Sequence, residues 1–166
     1  VIFPDPQFYH QRVVDIAIGE NYTTSQACFI TVSAREDANQ PGARRDQIRV
    51  IQTDYSGASS GPDIILHDTR NINGTTGFSM YPTHSLYKVV GSTKTLFICG
   101  YVTMDPTVGP ATGSFTPIPK GISIALPYPD FTSTKKAFVL SIDVSGATPL
   151  LTNCRYYDWN INGGTT

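Results

Sequence analysis

The sequence predicts an all-β fold: an antiparallel β-sandwich of jelly-roll type, with about nine short strands and little helix. Three observations carry that expectation. Runs enriched in β-branched and aromatic residues, several with period-2 alternation, recur about every fifteen residues along the chain. The intervals between them hold turn chemistry, drawing on 14 Gly and 12 Pro in 166 residues. No long window keeps an i, i+3, i+4, i+7 apolar stripe without Gly or Pro intruding.

The elements follow in order. "RVVDIAI" (12–18) and "ACFITVS" (27–33) are strands separated by "GENYTT". A polar stretch holding Pro41 and Gly42 then leads to "QIRVIQT" (47–53), so 33–47 reads as a long exposed loop, not a helix. "YSGASSGP" separates that strand from "DIILHD" (63–68), and "NINGTTG" lies before "SLYKVV" (85–90). "TLFICGYVTM" (95–104) ends at "DPTVGP"; "GISIAL" (121–126), "AFVLSIDV" (137–144) and "CRYYDWNI" (154–161) complete the set, with "SGATP" before the last. With no helices between them, these strands do not suit a parallel βαβ sheet, which needs long crossovers.

Two strands indicate how the layers bury. In 137–144 one face carries Phe138, Leu140, Ile142 and Val144, and the other Ala137, Val139, Ser141 and Asp143. That is the pattern of a half-buried antiparallel strand, and each large apolar side chain buried contributes about 1.5–3 kcal/mol. In 95–104 both faces are apolar, with Leu96, Ile98 and Val102 on one and Phe97, Cys99 and Tyr101 on the other. That pattern marks a central strand covered on both sides, or one that packs on a second subunit. Cys99 sits mid-strand beside Gly100 with no following helix or adjacent base to lower its pKa, so it reads as a buried structural thiol. Gly100 marks a bulge or a close backbone approach.

Composition bounds the function. A chain of 166 residues that is 40% hydrophobic suits one globular domain. Its opening, "VIFPDPQ" without Met, reads as part of a longer, processed protein. Net charge is −1, with no basic run longer than two residues, which leaves no electrostatic footprint for nucleic acid. No apolar segment approaches the ~20 residues needed to span a bilayer, so membrane insertion is not expected. Cys28, Cys99 and Cys154 match neither a zinc knuckle nor a CxxC motif, and they leave the pairing of any bridge open. The sequons at Asn21 and Asn73 are weak signs of secretion.

Catalytic signatures are missing: there is no G-x-S-x-G, H-x-H or H-E-x-x-H, and no EF-hand-like spacing of oxygen ligands. No catalytic residue, metal ligand or cofactor is therefore assigned. His67 and His84 with Asp63 are first suspects should the chain be a hydrolase with an unrecognised site. The positive feature is three long stretches, 35–46, 54–63 and 70–84, read as loops rich in small residues and holding Tyr55, Phe78 and Tyr81. Such loops on a rigid sandwich concentrate recognition. Arg44, Tyr55, Asp63, Asn73, Phe78, Tyr81 and His84 are the candidate contact residues.

The final sixty residues or so add a resemblance. "GYVTMDPTVGP", the link to "GISIALPYPDF" and then "KKAFVLSIDVSGATPLLTNCRYYDWNI" resemble the late strands of capsid domains of small non-enveloped RNA viruses. The chain departs from a shell domain in lacking a basic arm for RNA, which is closer to a protruding domain. The resemblance implies a virion-surface module that binds a host receptor or glycan through its loops and self-associates as a dimer or trimer. Two alternatives stand beside it: a secreted, lectin-like carbohydrate-binding module of cellular origin, and the hydrolase.

Overall fold

The computed structural model describes residues 8–19, 28–36, 46–68, 78–104, 121–127, 129 and 135–158. Nine strands run through them: β1 (Phe8–Ile18), β2 (Cys28–Glu36), β3 (Asp46–Thr53), β4 (Asp63–Asp68), β5 (Phe78–Val90), β6 (Thr93–Met104), β7 (Gly121–Leu126), β8 (Lys135–Asp143) and β9 (Leu150–Asp158). They form a five-stranded sheet in the order β1-β2-β3-β4-β7 and a four-stranded sheet in the order β5-β6-β8-β9. β5 packs across β1, β2 and β3, and the two layers make a β-sandwich with no helix among the described residues. Each of the nine expected runs falls on one of these strands over its described residues; Ala27 and 159–161 lie outside them, and Val144 follows the end of β8.

The connectivity differs from expectation in two respects. β4 and β7 pair in parallel, from Asp63↔Gly121 to Asp68↔Leu126. Parallel neighbours need a long connection, and here the chain supplies it by building β5 and β6 in the opposite layer before returning. β1 to β4 also follow one another within one sheet, so this strand order does not establish the jelly-roll arrangement.

Period-2 alternation decides what each sheet turns inward. Phe29, Ile48, Val50, Ile64 and Leu66 from the first sheet meet Phe78, Met80, Leu96, Ile98, Phe138, Leu140 and Ile142 from the second in one buried cluster. The apolar face expected for 137–144 is thus the core face, with Leu140 1% exposed against 42% for its neighbour Val139. A second cluster, Cys28, Ile30 and Val32 with Ile51, lies on the opposite side of the first sheet. β2 therefore buries both of its faces.

β5 begins earlier than the sequence suggests, because Phe78 and Met80 carry the inward alternation back through the stretch read as loop. Its register against β6 shifts between Pro82 and His84. Pro82 has no N–H for the ladder, and it faces Gly100, where a Cβ would lie 2.1 Å from the Tyr81 carbonyl oxygen and 2.8 Å from the Pro82 Cα. The close approach expected at Gly100 is present. Cys99 is different: it lies on the outer face of β6, half-buried beside the half-buried Phe97 and Tyr101, so it is not a core thiol. All three cysteines are unpaired.

One end of the sandwich is closed by polar contacts. Lys136 occupies an inward position and pairs with Asp158 at 2.9 Å. The Tyr156 hydroxyl donates to the Pro127 carbonyl at 2.8 Å, and its ring meets Phe78 edge-on at 6.4 Å.

Leu140→Ala is expected to cost about 2–5 kcal/mol through the cavity it leaves in the interlayer core. Val139→Ala on the same strand should change stability by less than ~0.5 kcal/mol, as surface substitutions usually do. Urea unfolding of the two variants checks both, and a larger loss at Val139 than at Leu140 would mean that the strand is turned the other way.

Candidate functional site

The opposite end of the sandwich is built differently, starting with the turn between β3 and β4. Asp54 organises it: its Oδ1 accepts from the Ser56 amide at 2.8 Å, the Ser56 hydroxyl at 2.6 Å and the Ala58 amide at 3.0 Å. Gly57 completes the turn with φ +83°, a conformation that L side chains avoid. The Ser56 hydroxyl, opposed by desolvation and helped by the Ala58, Ser56 and Gly57 amides, holds the Asp54 carboxyl below its ordinary range. Tyr55 stands exposed at the tip.

The turn is then fastened to β3. Ser60 N donates to the Gln52 carbonyl at 3.1 Å, and Gln52 Nε2 donates to the Pro62 carbonyl at 2.7 Å. Gly61 packs closely on this amide: a Cβ there would lie 3.0 Å from Gln52 Oε1 and would press the Gln52 side chain aside. Asp63 ends the turn in an ion pair, accepting from Arg49 Nε at 2.8 Å.

Inside this rim is a cavity of about 460 Å³, within the size range of small-molecule sites. The strand alternation explains it. Phe29 and Gln52 face each other across β2 and β3, and both point inward. Tyr87 points inward from β5 and packs on Phe29 with ring centroids 4.8 Å apart. Beyond Tyr87, the last inward row holds Val89, Lys94 and Val144, where the layers part. Ser60, Gly61 and Pro62 form one lip and Gly146 and Ala147 the other. The cavity thus has an aromatic floor, an aliphatic wall, two buried polar side chains, Gln52 and Tyr87, and the exposed Lys94 at its mouth. Burial raises the Tyr87 phenol above its ordinary pKa.

The expected contact residues do not gather in one place. Tyr55 belongs to this rim, and Asp63 lies at its base, engaged with Arg49. Phe78 is 0% exposed in the core, so it cannot serve as a loop contact. Tyr81 lies in β5, not in a loop, and stacks on Tyr101 at 4.9 Å, with Lys135 Nζ 3.8 Å from the Tyr101 ring centroid. His84 lies in β5 as well, where its Nδ1 meets Asp15 at 2.7 Å. Arg44 and Asn73 lie outside the described residues, as does the sequon at Asn21. His67 and Asp63 are on β4 and His84 is on the other sheet, so the suspected catalytic trio is not assembled. Among the described residues, no group of three His, Cys, Asp or Glu could hold a metal ion.

Gln52, Tyr87 and Lys94 were not singled out by sequence reasoning. The signal that could have found them is a polar residue in the inward phase at a strand end: Gln52 after Ile48 and Val50, and Lys94 before Leu96 and Ile98. Comparison with protein-family models, with curated proteins and with solved structures finds no match for the chain.

The Asp15–His84 contact ties β1 to β5. Partial burial opposes the Asp15 charge, but the Ser85 and Ile16 amides, His84 and the Ser85 hydroxyl outweigh it and hold the carboxyl below its ordinary value. A lowered folded-state pKa contributes stability that is present above the unfolded value and lost as pH falls through the folded one. Asp15→Asn is therefore expected to be less stable than the parent at neutral pH. The gap should close as pH drops below roughly 4, the ordinary aspartate value. Thermal melts across that interval check it; a gap independent of pH would show that Asp15 is not held ionised by these partners.

Proposed function

We propose that this chain is a non-enzymatic recognition domain whose turn at 54–62 and adjoining cavity form the contact rim. Its specific form is the protruding domain of a small non-enveloped RNA virus capsid protein, attaching the virion to a receptor or glycan on the host-cell surface. The observation that carries the proposal is the rim itself. A turn fixed by Asp54, Gln52 and Gly57 presents Tyr55 exposed at one end and lines an open interlayer cavity with Ser60, Gly61 and Pro62 at the other. Pre-ordering matters because a loop already held in its bound shape loses less conformational entropy on contact. Exposed tyrosine supplies a large contact area with few rotatable bonds.

Self-association belongs to the same proposal. The outer face of the four-stranded sheet carries Leu86 opposite Phe97, and Val139 and Tyr157 on the next strands, all at least partly exposed. Apolar side chains in neighbouring rows of a sheet face suit a contact between subunits.

A carbohydrate-binding module of cellular origin is the second reading, favoured by the stacked Tyr81–Tyr101 pair on that outer face. The coding sequence upstream separates the two. A preceding shell domain with an Arg-rich arm supports the capsid, and a secretion signal followed by a catalytic domain supports the cellular module.

The expected behaviour is saturable attachment of the labelled 166-residue chain to at least one of a panel of animal, insect and plant cells. Tyr55→Ala should weaken it roughly tenfold, the loss of one interface anchor, while the melting temperature is unchanged. No saturable attachment to any cell type, or attachment indifferent to Tyr55, would defeat the rim as the contact.

A further inference from the structure

We infer that the interlayer cavity binds an acidic sugar residue, with its carboxylate on Lys94 and its hydroxyls on Gln52 and Tyr87. The inference rests on the recognition role of the rim and names the chemistry the rim selects.

The two ends of the sandwich carry the first half of the argument. Each places a lysine in the inward phase of a central strand of the four-stranded sheet. At one end Lys136 is buried and neutralised by Asp158 at 2.9 Å. At the other, the Lys94 ammonium has no ion-pair partner among the described residues. No carboxylate lines this cavity, and Lys94 is the one charged residue of its described lining. The site therefore favours an anion and disfavours a cation.

The depth of the cavity carries the second half. Gln52 spends its amide N–H on the Pro62 carbonyl, which leaves Oε1 as an acceptor without a donor among the described residues. The Tyr87 hydroxyl likewise has no partner there, and only burial perturbs it. Both side chains belong to residues at least nine-tenths buried. Neither oxygen is among the buried side-chain atoms left without a partner, so both reach solvent through the open mouth, and a guest that covers them must bond them or leave them costing free energy. A purely apolar guest, or the alkyl chain of a fatty acid, would bury both unpaired. A guest with adjacent hydroxyls satisfies them, donating to Gln52 Oε1 and exchanging a hydrogen bond with Tyr87.

Between these polar points lie Phe29, the Tyr87 ring, Val89 and Val144, an apolar surface suited to the C–H face of a pyranose ring. A phosphate monoester fits less well, because it carries close to two negative charges at neutral pH and Lys94, the one charged residue of the described lining, offsets only one. One carboxylate, several hydroxyls and one apolar ring face together describe a sugar acid.

Calorimetric titration of the 166-residue chain with glucuronate, with glucose and hexanoate as controls, tests the assignment. Glucuronate is expected to bind at least ~10-fold more tightly than either control, because glucose lacks the anion and hexanoate lacks the hydroxyls. Lys94→Met should reduce glucuronate to the level of glucose. Tyr87→Phe, which keeps the ring on Phe29, should weaken it roughly tenfold. Thermal melts establish that both variants are folded, and Val13→Ala, exposed on β1 outside the cavity, should bind as the parent does. Glucuronate no tighter than both controls, or binding unchanged in both cavity variants, overturns the assignment. Cell attachment that persists and still depends on Tyr55 in that case removes the ligand class alone; attachment lost as well removes the recognition role.

Discussion

Everything in this molecule depends on one dry layer between two sheets. Phe29, Ile48, Val50, Ile64 and Leu66 must face Phe78, Leu96, Ile98, Leu140 and Ile142, because neither sheet can leave that much apolar surface in water. A slip of one residue in any strand would turn its apolar set outward. The need for contact also explains the odd features. β5 runs long because Phe78 and Met80 belong to the layer, and the chain tolerates Pro82 mid-strand because Gly100 lets the facing backbone come close. β7 returns to pair with β4 in parallel, placing Ile124 and Leu126 over the same core.

The ends of that layer are where the sequence stops supplying apolar inward residues, and the two ends are finished in opposite ways. Lys136 with Asp158 and Tyr156 with Pro127 seal one. The other keeps Gln52 and Tyr87 pointing inward around a cavity with the exposed Lys94 at its mouth, under a turn that Asp54 and Gln52 hold in place. A sandwich built this way needs no moving part to present a site. The core fixes the strands, the strands fix the inward phase, and the polar residues in that phase become the lining.

Much of the fold was legible in the residues. Strand runs separated by Gly and Pro gave the nine elements, and the alternation in 137–144 pointed Phe138, Leu140 and Ile142 to the core, where they lie. Cys99 was misplaced because an apolar residue on an apolar strand reads as buried, whereas the outer face of β6 is open enough to leave it half exposed. Phe78 reads as a loop residue because the Gly- and Thr-rich run before it hides the start of the alternation. Sheet order was not legible: pairing β4 with β7 joins residues far apart in sequence, and no local pattern encodes it. The cavity was missed for a related reason. Gln52 and Lys94 look like ordinary polar strand ends until the two sheets show that they share one inward row.

The central claim, a single rigid interlayer core bearing a polar rim, is tested most directly by native-state hydrogen exchange of the free chain. Amides of Val50, Ile98 and Leu140 should exchange only with global unfolding, while those of Tyr55 and Gly146 exchange by local opening at far lower cost. Comparable protection in the two groups would contradict it, as would exchange in β6 and β8 as fast as in the turns.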